Sequence, residues 1–138
     1  MNLQPIAARI VAGKPAGVRK VGNAADLAAL KAGHTVTPAI YLLPLDEAST
    51  GMGFAGESLV KVVAGFALVF AVANKSDAAG GAAVGDLEVL RDAVKALLHG
   101  WIPAVDYERI AFSRGRLLSL DDGVVFWMDE YATAYFSQ

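Results

Sequence analysis

The longest apolar run in the chain, residues 62–73 (VVAGFALVFAVA), is closed on both sides by polar residues, Lys61 and Asn74. It is too short to cross a bilayer, which takes about 20 apolar residues. Val, Phe and Leu recur in it without clean alternation. That pattern predicts a strand covered on both faces, the central strand of a sheet. A buried helix is the rival reading, because alanine is frequent; the β-branched and aromatic content favours the strand. Gly65 inside the run suggests a bulge or a close backbone approach. A loop, residues 74–85, is expected next, followed by the clearest helix in the chain, residues 86–99. Leu87, Leu90, Val94, Leu97 and Leu98 fall on one stripe of that helix. Asp86 is expected to cap its N-terminus, with Glu88 at the positive end of the dipole. Glu88–Arg91 and Asp92–Lys95 are spaced to pair one turn apart. His99 and Gly100 are expected to end the helix, and Pro103 blocks continuation.

The flanking segments show weaker patterns. Residues 2–13 predict a first helix, with Asn2 as cap and Ile6 and Ile10 on its apolar side. Residues 18–21 are a short candidate strand. Asn23 is placed to cap a short helix over residues 24–31, with Leu27 and Leu30 facing in and Gly33 ending it. Residues 39–45 (AIYLLPL) predict a second buried strand, with Pro44 near its end. A polar, glycine-rich stretch, residues 46–57 (DEASTGMGFAGE), is expected to be a long loop. After the main helix, residues 109–113 and 116–120 predict strands separated by a turn or bulge at Arg114-Gly115. Asp121-Asp122-Gly123 is a hairpin signal. Residues 124–136 then predict a long terminal strand, with Tyr131, Thr133 and Tyr135 on one face and Ala132, Ala134 and Phe136 on the other. The pattern reads as one α+β domain over residues 1–138: a mostly antiparallel, mixed sheet with helices packed on one face.

Composition narrows the class. At 138 residues one domain with a real core is expected. Apolar content of 55% and a mean hydropathy of +0.44 are high for a soluble chain: either the core is well filled, or some apolar surface is covered by partner subunits. With 12 basic and 14 acidic residues, the net charge of −2 argues against direct nucleic-acid binding. The absence of cysteine excludes disulfides and thiolate metal sites. No signal peptide is evident near the start, where Arg9 interrupts the first apolar stretch. No membrane association is expected.

No pattern of catalytic residues emerges. His34 and His99 lack a second histidine at metal-ligand spacing and read as surface or capping residues. Asp46-Glu47, Asp121-Asp122 and Asp129-Glu130 are acidic pairs, but a carboxylate pair does acid–base work or holds a metal only when burial and geometry tune it. Gly80-Gly81 sits between strand and helix, where a phosphate loop would sit, yet neither the glycine spacing nor the lysine of such a loop is present. A linker is the simpler reading. Trp101 and Trp127 read as core. Tyr131 and Tyr135 suit a subunit interface equally well. No enzyme activity, cofactor or metal is expected.

Four stretches carry a resemblance: TPAIYLLPLDEAS (residues 37–49), GFALVFAVAN (65–74), DLEVLRDAVKALLHGWIP (86–103) and GRLLSLDDGVVFWMDEYAT (115–133). Together they resemble the tail terminator proteins of long-tailed bacteriophages and prophages, the tail-completion family of Mu-like phages. That family is similar in fold to the minor tail protein U of phage lambda. The resemblance implies a structural virion protein of the phage tail, made and assembled in the bacterial cytoplasm. It implies a homo-oligomer, a hexameric ring, that caps the tail tube, ends its polymerisation and offers a surface for head–tail joining. The implied partners are the tail tube protein and the head–tail connector protein. No interface motif transfers residue by residue, so Asp46, Glu47, Met52, Phe54, Glu57, Tyr131 and Tyr135 are the expected contact residues, chosen from the long loop and the terminal strand. Two alternatives stay open: another head–tail joining or tail protein, and a small ligand-binding or enzymatic α+β domain using the loop at residues 80–85.

Overall fold

The computed structural model describes residues 1–30, 35–52, 60–73, 81–121 and 123–137, with 51, 52, 81–84 and 121 described by backbone alone. Five strands form one mixed sheet: β1 (Lys20–Asn23), β2 (Ala39–Met52), β3 (Val60–Ala73), β4 (Ala111–Asp121) and β5 (Val124–Ser137). Their order is β1-β2-β3-β5-β4. β1 runs parallel to β2, and the other neighbours are antiparallel. The apolar run is the middle strand β3, paired on both sides along nearly its whole length. Burial on both faces explains why it lacks alternation.

Three helices accompany the sheet: α1 (Gln4–Gly13), α2 (Ala24–Ala28) and α3 (Gly81–Leu98). α1 and α3 cover one face. Ile6 and Ile10 of α1 and Leu87, Leu90, Val94 and Leu98 of α3 pack there on Phe66, Leu68, Phe70 and Val72 of β3. Each large apolar side chain buried in this layer contributes about 1.5–3 kcal/mol. The opposite face is smaller in side chain: Ala67, Val69, Ala71, Ala39, Tyr41 and Met128, with Leu27 and Leu30 from α2 and its exit packed against them. The two longer helices thus lie on one face, as the α+β reading expects, and the short α2 lies on the other.

Local chemistry explains the helix ends. Asn23 and Asp26 form a reciprocal capping box for α2, with Asp26 N–H donating to Asn23 Oδ1 at 3.0 Å and Asn23 N–H donating to Asp26 Oδ2 at 2.8 Å. Leu3, not Asn2, is the N-cap of α1; Asn2 still accepts from the Gln4 amide through Oδ1 at 3.0 Å. Arg9 reaches from α1 to the end of α3, donating from Nε to the Leu97 carbonyl at 2.6 Å and lying over the Trp101 ring. A cation there satisfies an orphan carbonyl and suits the negative end of the helix. Gly100 (φ +84°) turns the chain out of α3.

The structure corrects several boundaries. Residues 46–52 are not a loop: they extend β2, because pairing with β3, interrupted by a register shift between Ser49 and Met52, outweighs their poor strand propensity. The rest of that stretch, with Phe54 and Glu57, lies outside the described residues. Pro44 is mid-strand, where β1 no longer flanks β2, so its missing N–H costs no ladder bond on the outer side. The irregularity suggested by Gly65 is a register shift in β2 opposite it. α3 starts five residues early, at Gly81, so Asp86 is inside the helix and caps nothing; its alanines favour the extra turn. α2 is shorter than expected, and Lys31 and Gly33 lie outside the described residues. β1 begins two residues later than the expected strand. Of the turn or bulge expected at Arg114-Gly115, the bulge is found: residues 111–121 form a single strand whose register shifts between Phe112 and Arg114, and again between Leu117 and Ser119.

Two predictions follow from this core. Leu90→Asp, at a position with 1% exposure, is expected to abolish folded soluble protein; a normal thermal unfolding transition in that variant would contradict the packing. The second concerns Tyr131, which is buried and whose hydroxyl finds no hydrogen-bond partner among the described residues. Burial, and next the charge of Asp129, raise its phenol well above the ordinary 10.0, while Arg91 pulls the other way. The folded state therefore keeps a proton that the unfolded chain releases above that pH, so stability declines as pH rises past about 10. Tyr131→Phe is expected to flatten that decline and to match or exceed the parent at neutral pH, by up to about 1–3 kcal/mol, read by urea unfolding across pH 8–11.

Candidate assembly surface

Where the sheet stops, its backbone is unpaired. β4 is the last strand on one side. The start of its outer edge is covered by the end of α3: His99 Nδ1 accepts from the Phe112 amide at 3.2 Å, and Gly100 N–H donates to the Ile110 carbonyl at 2.7 Å. His99 is thus a structural acceptor. Residues 113–121 have no neighbouring strand on the outer side among the described residues. On the opposite side, β1 pairs with β2 only from Ala39 to Leu42, which leaves the outer edge of residues 43–52 unpaired among the described residues. Two long free edges on opposite sides of one sheet are templates for adding strands.

A buried ion pair holds the β4 edge in position. Asp129 on β5 is fully buried, and Arg91 of α3 reaches it with Nε at 2.9 and 3.1 Å and Nη2 at 2.8 Å. Trp127 Nε1 donates to the same carboxylate at 2.8 Å, and the Arg91 guanidinium lies 4.6 Å from the centre of the Trp127 ring. Gly115 of β4 is the cross-strand neighbour of Asp129. A Cβ there would fall 2.3 Å from Asp129 Oδ1 and 2.8 Å from Arg91 Nη2 and Trp127 Nε1. The glycine is present to make room for the ion pair. Arg91 therefore does not serve Glu88, and Lys95 lies over the Phe112 ring at 4.1 Å. Of the acidic pair Asp129-Glu130, one member is this buried anchor; the other bonds Arg114 on the opposite face.

The fold brings two of the expected contact residues, Glu47 and Tyr135, into hydrogen-bonding contact and separates others. Asp46 and Glu47 sit side by side on β2 but on opposite faces, as their partners Gly65 and Ala64 on β3 require. Glu47 bonds the Met1 ammonium, whose hydrogen bond, with one from the Tyr135 hydroxyl, holds its carboxyl below the usual range despite some desolvation. Tyr135 stacks on Tyr107 with ring centres 5.0 Å apart. Met52 ends β2. Tyr131 is not a surface residue: it stacks on Phe66 at 5.6 Å and meets Phe112 edge-on at 5.5 Å, inside the core. Alternation along β5 could not show this, because the face shared by Tyr131 and Tyr135 is covered by helix only toward one end. Sequence reasoning missed Arg114 and Arg116; the two basic side chains on a strand expected to be broken at Gly115 were the available signal. Leu117, Leu118 and Leu120 are exposed beside them; Leu45 is exposed on β2, and Val63 and Phe136 are exposed on the inner strands β3 and β5.

A concavity of about 290 Å³ beside Pro38 and Leu90 brings one carboxylate, Asp86, near one hydroxyl, Thr37. Among the described residues no three His, Cys, Asp or Glu side chains gather where they could hold a metal ion, and no helix is long and apolar enough to cross a membrane. His34 and Gly80 lie outside the described residues.

Among the described residues, the sheet is small and mixed, with long unpaired stretches on β2 and β4. The whole chain, residues 1–138, matches the family described as phage tail terminator protein, and the chain belongs to that family. The match includes the first 36 residues, which the sequence stretches noted above did not cover. A search of curated proteins found no significant match.

Gly115→Ala is expected to destabilise by about 1–3 kcal/mol through overpacking against the ion pair, and Arg91→Met by about 3–5 kcal/mol through leaving Asp129 buried and unpaired. Denaturant unfolding of the two variants checks both; a Gly115→Ala protein as stable as the parent would mean the ion pair does not occupy that space.

Proposed function

We propose that this phage tail protein acts as a ring, a hexamer, that caps the end of the tail tube, stops addition of tube subunits and presents a surface for head–tail joining. The observation that carries the reading is membership of the tail terminator family over the entire chain. The two unpaired sheet edges and the exposed apolar residues beside them support it, because a subunit of a ring needs a different contact on each side. The action is stoichiometric binding, and catalysis has no part in it. Contact residues proposed for the ring and its partners are Asp46, Glu47 and Tyr135, together with Met52, Phe54 and Glu57 beyond them in the chain.

Two measurements test the proposal. Native mass spectrometry over a range of protein and salt concentrations is expected to show a hexamer or a monomer–hexamer equilibrium, shifted toward monomer by Tyr135→Asp. In an assembly reaction of purified tube subunits, adding the protein is expected to arrest tube growth at a defined stoichiometry per tube end. Tubes that continue to lengthen in its presence would overturn the capping role.

A further inference from the structure

We infer that copies of this chain join head to tail by sheet extension, the free edge of β4 in one copy pairing with the free edge of β2 in the next. The inference rests on the ring reading and gives it a specific contact. Its direction follows from topology. β2 and β5 run the same way and β4 runs opposite, so a sheet continued with its faces aligned sets β4 antiparallel to the next β2. Lengths match: among the described residues, 113–121 have no outer strand on β4 and 43–52 have none on β2.

Charge selects the partner. Arg114 and Arg116 project from the face that carries Ala67 and Met128, as their cross-strand partners Glu130 and Met128 show. Asp46 projects from the same face, opposite Gly65. Arg116 and Asp46 are both exposed, and neither has an oppositely charged partner among the described residues. One edge is therefore basic and the other acidic, on a common face. Across an extended sheet these side chains become cross-strand neighbours, while β4 against β4 would oppose like charges. The exposed leucines 117, 118 and 120 on one side and Leu45 on the other supply apolar area next to the new ladder. A self-complementary dimer would need one patch to match itself; these two edges match each other, the requirement for a closed ring.

Two single substitutions at exposed sites test it, Arg116→Glu and Asp46→Lys, with circular dichroism confirming that each variant is folded. Each variant alone opposes like charges at every contact and is expected to associate at least about tenfold more weakly than the parent. Mixed one to one, the variants again face opposite charges at both contacts, so the mixture is expected to regain the parent mass with alternating composition by native mass spectrometry. A parent that is monomeric at every concentration, a variant that assembles normally by itself, or a mixture that stays monomeric would each overturn the edge pairing. The ring reading fails separately: rescue by mixing at a stoichiometry other than six supports the edge pairing and refutes the hexamer. A hexamer indifferent to both substitutions refutes the edge pairing and keeps the ring.

Discussion

The contact between Arg91 and Asp129 organises much of this structure. A carboxylate with no exposure to water needs full compensation, and here it accepts from a guanidinium and an indole. Three elements are fixed by that one requirement. α3 must present Arg91 at a set height above the sheet, β5 must turn Asp129 toward the helix, and β4 must run alongside without a side chain at Gly115. Apolar packing alone would tolerate some sliding of a helix over a sheet of alanines, leucines and phenylalanines. A directional, buried ion pair is less permissive, because each displaced bond leaves charge without a partner.

How legible this was in the sequence depends on the range of the forces involved. The core was readable where a single periodic pattern governed it. The strand at residues 62–73 and the stripe of Leu87, Leu90, Val94 and Leu98 emerged because burial imposes a pattern on consecutive residues. What escaped was set across the chain. Residues 46–52 look like a loop by propensity and become a strand because β3 lies alongside. Gly115 looks like a turn and is instead a gap for side chains 24 and 14 positions away, those of Arg91 and Asp129. Arg91 has an acid one turn before it, Glu88, yet its partner is Asp129 on a distant strand. The same limit applied to the candidate site. Tyr131 and Tyr135 share a face of one strand, but only tertiary packing tells which of them the helix layer covers.

Membership of the tail terminator family and the shape of the sheet point the same way. An assembly protein needs surfaces that are well defined before a partner arrives. Here the long edges are held by a rigid layer of α1 and α3 on one face and by small side chains on the other. The basic residues of β4 and the acid of β2 lie on sheet edges, where charge also discourages unwanted strand addition. A surface of that kind can reject most neighbours and accept one of opposite sign.

The extension of β2 and β3 beyond the helices has a consequence for the distribution of stability within a single strand. On the face opposite α1 and α3, Ala67, Val69 and Ala71 of β3 are buried, whereas Val63, two positions further along that same face, is 40% exposed. The same hydrogen-bond ladder therefore passes from a clamped zone into a thin, water-bathed one. Opening the thin zone sacrifices few apolar contacts, so it can exchange its amide protons without disturbing the core. The molecule is in effect a stiff plate with a softer margin, and a margin of that kind can adjust its twist to a neighbouring subunit while the plate keeps its shape.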